Sequence, residues 1–187
     1  LFRDEQRKIV GSILETTLAD AEAVLRQIFD NNAPLMRFLA DLSAPLPKAL
    51  QAAAEFSINM NLKHALEGDE MDLEKIGTLL SEAKDSRISL DAPGLAYAFQ
   101  KNLARILEQI WTDPEDTAYL IQLEEIVTLI ATLPFDVDLW KVQNNYYEFL
   151  QRIYPGMKRK LEQGDDSAQA WMAPFLSLGE KLKVKVG

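Results

Sequence analysis

Asp113-Pro114-Glu115-Asp116-Thr117-Ala118-Tyr119-Leu120-Ile121-Gln122-Leu123-Glu124-Glu125-Ile126-Val127-Thr128-Leu129-Ile130 opens on a helix-start signal and continues as one apolar stripe. Asp113 reads as the cap and Pro114 as a first-turn residue. Glu115 and Asp116 then face the positive end of the helix dipole. Leu120, Leu123, Ile126, Val127 and Ile130 recur at 3-4 spacing, so the pattern predicts one buried helical face. Pro134 marks the limit of this helix, because proline has no amide donor to continue the ladder.

The same periodicity extends in both directions. Upstream, a helix is expected from Asp4 to Asn31. Its stripe of Val10, Ile13, Leu14, Thr17, Leu18, Ala21, Val24, Leu25 and Ile28 is expected to be buried. Pro34 should break or kink it, leaving a short helix from Leu35 to Leu42. After the turn at Ser43–Pro47, a helix from Pro47 to Glu67 stops at Gly68. Asp72 caps a helix ending near Asp85. Arg87 to Leu90 is looped, and Asp91 caps a helix that Pro93 enters in its first turn and that ends near Trp111. Downstream, a helix from Asp138 through Ile153 is stopped by Pro155-Gly156. A last helix runs from Ser167 to Lys181 with a bend at Pro174. Leu182 to Val186 alternates as a strand would but has no obvious partner strand, so it reads as a tail that packs against, or leads into, something else. The expected fold is all-α, an irregular multi-helix bundle of about seven or eight helices, formed by residues 1–187 as a single domain.

Bulk properties exclude several classes of partner. The chain has 187 residues with 29 acidic against 20 basic side chains, a net charge of -9. Such a surface repels phosphate backbones and anionic lipid, so neither nucleic acid nor membrane is an expected partner. No apolar run reaches the ~20 residues of a membrane-spanning helix. There is no cysteine, which removes disulfides and thiol chemistry and fits a reducing, cytoplasmic location. Leu1-Phe2-Arg3-Asp4 carries charge where a leader would be apolar and lacks an initiator Met. This opening reads as a cut inside a longer polypeptide.

Catalytic spacing is missing. His64 is the single histidine and reads as an ordinary polar residue at a helix edge, with no second histidine to complete a metal motif. No serine elbow or glycine-rich phosphate loop is present. Glu124-Glu125 lies on a helix whose other face is apolar, which reads as a solvated face, and Glu67-Gly68-Asp69-Glu70 reads as a turn. No catalytic residue, cofactor or metal site is therefore expected.

Two segments hold more information. Trp140, Asn144 and Tyr147 share a helical face at i, i+4 and i+7, with Gln143 beside them. Aromatic rings next to side-chain amides suit sugar faces and hydroxyls. They suit internal packing or a domain interface equally well, because Trp and Tyr combine apolar area with a polar handle. Trp140 is expected to be mostly buried, with Asn144 supporting nearby backbone and Tyr147 partly open. Glu55, Asn59 and Lys63 lie at i, i+4 and i+8 and read as a polar network that fixes helix register.

These segments and their surroundings resemble a known family. Ala33-Pro34-Leu35-Met36-Arg37-Phe38-Leu39, Ala52-Ala53-Ala54-Glu55-Phe56 leading to Asn59, Leu90-Asp91-Ala92-Pro93-Gly94-Leu95-Ala96, and Leu133-Pro134-Phe135-Asp136-Val137-Asp138-Leu139-Trp140 through Gln143-Asn144 are similar to the C-terminal helical domain of unknown function found in some glycoside hydrolase family 57 proteins. The likeness runs through most of the chain in the same order. It implies a parent of α-amylase or α-mannosidase-like type, with an N-terminal β/α barrel holding a Glu nucleophile and an Asp acid/base. Neither catalytic motif can be placed in this sequence. The chain is then expected to be a non-catalytic accessory domain. Its partner would be the catalytic domain of the same polypeptide, with a polysaccharide or oligosaccharide as a further one. The alternative is a stand-alone helical module that binds another protein.

Overall fold

A computed structural model describes residues 2–68 and 71–184. Eight helices and no strand occur among the described residues: α1 Phe2–Asp41, α2 Lys48–Glu67, α3 Leu73–Asp85, α4 Ala92–Thr112, α5 Thr117–Ile130, α6 Trp140–Arg152, α7 Tyr154–Glu162 and α8 Asp166–Lys181. The fold is all-α, as the periodicity predicts. Chain contacts divide it into two compact units. One comprises Leu1–Ala65 with Glu74–Asp91, the other Leu66–Leu73 with Ala92–Gly187.

In the first unit, α2 and α3 bury Ala53, Ala54, Ile58, Leu62, Ile76, Leu79 and Ala83. Of the small-residue run Ala52-Ala53-Ala54, Ala53 and Ala54 are buried and Ala52 is exposed. α1 differs from expectation in two ways. It continues through Pro34 to Asp41 instead of breaking, because Met36 beyond the proline is buried and Leu39 half-buried, and that burial offsets the lost backbone hydrogen bond. Its stripe is also not buried: Ile9, Val10, Ile13, Leu14, Leu18 and Val24 are each more than half exposed.

The second unit is built on an aromatic cluster. Phe175 of α8 stacks on Trp171 at 4.5 Å, Tyr146 at 4.6 Å and Tyr154 at 5.4 Å between ring centroids. The polar ends of Trp171 and Tyr146 are satisfied, as buried Trp and Tyr require. The Trp171 indole donates to the Pro114 carbonyl at 2.9 Å, and the Tyr146 hydroxyl donates to the Phe175 carbonyl at 3.0 Å. Burial pushes the Tyr146 phenol well above its ordinary range. α5 buries Leu120, Leu123, Ile126, Val127 and Ile130, the five residues that its spacing singles out.

Helix ends account for the remaining corrections. Asp113 is not the cap of α5. Its N–H bonds the Gln109 carbonyl and so completes α4, while Pro114 lies in the turn that follows. The cap is Asp116, whose Oδ1 accepts the Ala118 N–H at 2.8 Å. Asp116→Ala should therefore lower stability by about 0.5–2 kcal/mol, and Asp113→Ala should stay within about 0.5 kcal/mol. Denaturant midpoints of the two variants check this. α6 ends at Arg152, just before Pro155-Gly156 as expected, but a further helix begins at once. Pro155 sits in the first turn of α7, where a missing donor costs nothing, and α7 is a helix that the sequence reading lacks. α8 runs through Pro174 and is capped by Asp165, whose Oδ1 accepts both the N–H and the hydroxyl of Ser167. α1, α3 and α8 end on Ser43, Arg87 and Lys183, each with positive φ and with the next amide bonded back five residues, to Leu39, Ala83 and Gly179 respectively. At the tail, Leu182 is the buried C-cap of α8 and Lys183 the left-handed turn, so residues 182–184 are not a strand. Residues 185–187 lie outside the described residues.

Candidate binding surfaces

α6 buries Val142, Tyr146 and Phe149 at i, i+4 and i+7. Trp140, Asn144 and Tyr147 are each two residues out of step with them. Two residues turn a helix by about 200°, so this second set points away from the core. Trp140 is 68% exposed and Tyr147 55% exposed, and Asn144 and Gln143 are exposed as well. The expectation of a mostly buried Trp140 is thus overturned. Asn144 does not brace the backbone either. That role falls to the adjacent Asn145, which accepts the Trp111 indole N–H at 2.7 Å and donates to the Lys141 carbonyl at 2.8 Å. Gln143 donates to the Leu182 carbonyl at 3.2 Å and so holds the end of α8. Trp140→Ala should change stability by no more than about 0.5 kcal/mol, as exposed substitutions do. Thermal unfolding of the isolated variant checks this.

Trp140 lines a groove of about 460 Å³ with residues of α4. Tyr97, 68% exposed, lines the same groove, together with Gln100, Lys101, Asp138 and Lys141. Asp138 Oδ1 accepts the Trp140 N–H at 2.9 Å, which fixes the start of α6 and with it the position of the indole. Asn144 and Tyr147 do not line this groove. The sequence reading missed Tyr97. Its signal was an aromatic ring that falls off the buried stripe Leu95, Phe99, Asn102, Leu103 and Ile106 of α4. A hollow of about 530 Å³ in the first unit, beside Arg37 and Glu82, has no aromatic lining.

Asn59 is the centre of the polar segment on α2. Its amide nitrogen donates to the Glu55 carbonyl at 2.7 Å and the Ser89 carbonyl at 2.9 Å, and its oxygen accepts the Asp91 N–H at 2.7 Å. These bonds tie the loop after α3 to α2. The Glu55 carboxylate instead accepts from Gln51 at 3.1 Å, and Lys63 is exposed.

The acidic candidates resolve differently from one another. Glu125 is exposed. Glu124 is half-buried, accepts the Ser177 hydroxyl at 2.7 Å and pairs with Lys181, which also donates to Thr128 at 2.6 Å. The Lys181 ammonium holds the Glu124 carboxyl below its usual range, against a smaller opposing effect of burial. Glu124 therefore joins α5 to α8 as an ion. A depressed folded-state value gives stability that is fully present above the unfolded value of about 4.3. That stability is lost as pH falls through the folded value. The destabilisation caused by Glu124→Gln should be present at pH 7 and vanish in acid, as measured by denaturation at a series of pH values. Glu67 closes α2, while Asp69 and Glu70 lie outside the described residues. His64 is exposed in the last turn of α2. Among the described residues, no three His, Asp or Glu side chains gather as a metal would need, and no helix is long and apolar enough to cross a membrane. In comparisons with known proteins, no protein-family profile, no curated protein and no solved structure matches the chain.

Proposed function

We propose that this chain is a non-catalytic accessory domain of a longer, cytoplasmic glycoside hydrolase family 57-like protein acting on α-glycosides, and that α1 docks on the catalytic barrel of the same polypeptide. The observation that supports docking is the apolar face of α1. Six large aliphatic side chains between Ile9 and Val24 are more than half exposed on one helix. Apolar patches of this kind mark interaction surfaces in soluble proteins. Ile13 and Leu18 stand about 140° apart around the axis, so the band is wider than the seam of a two-stranded coiled coil and fits a broad partner surface. Covering six half-exposed side chains contributes roughly 1 kcal/mol each before the costs of association.

The resemblance in sequence supplies the identity of the partner, and the missing catalytic spacing supplies the non-catalytic role. The purified chain should hydrolyse neither starch nor nitrophenyl α-glycosides, whereas the full-length parent should. Hydrolysis that stays with the purified chain through successive chromatographic steps would overturn the proposal. The same face of α1 equally favours a stand-alone module that binds a separate protein. That reading gains if α1 is covered only when another polypeptide is added.

A further inference from the structure

We infer that the groove between α4 and α6 binds a neutral oligosaccharide, with Tyr97 and Trp140 as its two stacking platforms. This goes beyond the docking role, because it concerns a different surface and survives even if α1 docks on nothing. A pyranose ring has an apolar C–H face and a rim of hydroxyls. Its recognition needs a flat exposed ring with hydrogen-bond donors and acceptors close by. The groove presents both. Tyr97 and Trp140 are each 68% exposed, on different helices, and line one hollow of about 460 Å³. Lys101, Lys141 and the Gln100 amide can donate to hydroxyl oxygens, and Asp138 and the Gln100 oxygen can accept from hydroxyl hydrogens.

The platforms are held from below. Leu103, Leu107 and Val142 line the groove and belong to the buried core, so its floor is fixed by packing. Asp138 pins the first amide of α6, which carries the Trp140 ring. Two large rings left in water forgo burial that most aromatic side chains obtain, and neither contributes to the core. Two platforms suit a ligand of two or more sugar units. A nucleic acid would also stack on aromatics, but the net charge of -9 opposes its phosphates.

Titration of the isotopically labelled full chain with maltoheptaose, and separately with cellohexaose, tests this. Trp140 is the exposed one of three tryptophans, so its quenching by acrylamide is a second readout. The expected result is saturable amide shifts confined to residues 97–107 and 138–142, with Trp140 shielded from acrylamide. Trp140→Ala and Tyr97→Ala should each weaken binding by about tenfold or more, as loss of a central aromatic contact does, while the unfolding temperature stays unchanged. Absence of saturable shifts with both saccharides, or wild-type affinity retained by both variants, overturns the inference. A groove that responds to a protein partner and to neither saccharide also overturns it.

Discussion

Phe175→Ala is expected to lower the stability of the chain by about 3–5 kcal/mol, the range for a large aromatic truncated in a core that cannot collapse around the gap. Phe175 is fully buried and meets three other rings. Its loss leaves Trp171 and Tyr146 without the surface on which they stack. Both also bond backbone carbonyls through that cluster, so they cannot rotate into the space without breaking a buried hydrogen bond. Most domains are stable by only about 5–15 kcal/mol, and this single change removes a large part of that. Denaturant unfolding followed by near-ultraviolet circular dichroism measures it. A loss under about 1 kcal/mol would mean that the ring cluster is not the organising core of the second unit.

The second large effect is on association. Replacing Ile13, Leu14 and Leu18 together by Gln should abolish the proposed docking of the chain while leaving its core intact. All three side chains are more than half exposed, so little packing is lost in the isolated chain. In the docked state they would lie on the partner, where hot spots concentrate near the centre of an interface. Helical content and the unfolding midpoint should match the wild type, and the co-elution that the proposal expects with a separately produced catalytic segment should disappear. Retained co-elution would remove α1 from the interface.

The sequence makes some of this architecture readable and leaves some of it hidden, for physical reasons. α5 reads correctly because its five buried residues obey a period set by helix geometry alone. α7 is hidden because Pro155-Gly156 has two meanings. A proline ends one helix and starts the next, and local sequence does not say which. Asp116 hides behind Asp113 for a similar reason: two acids three residues apart can each cap, and the choice depends on where α4 releases the chain. Positive φ at Ser43, Arg87 and Lys183 left no glycine to announce those turns. The partition into two compact units falls inside α2, after Ala65, where no linker composition marks it.

Surfaces are less legible than cores. The stripe on α1 was visible, but periodicity shows only that a face favours cover, not what covers it. Trp140, Asn144 and Tyr147 were correctly grouped on one face. Their exposure follows from Val142, Tyr146 and Phe149, which claim the opposite face for the core. Weighing the two triads against each other would have turned Trp140 outward, since apolar Val142 and Phe149 leave no polar atom to satisfy. Tyr97 needed the same comparison on α4.

Hydrogen exchange along α1 tests the central claim most directly. An isolated helical segment with its apolar face in water is only marginally stable. Amides of residues 4–24 should therefore exchange rapidly in the isolated chain, while those of α4 and α5 stay protected. In the proposed full-length parent the same α1 amides should slow by orders of magnitude, with no comparable change in α5. Equal exchange of α1 in the isolated chain and in the parent would contradict the account, because it would mean that nothing in the parent covers this face.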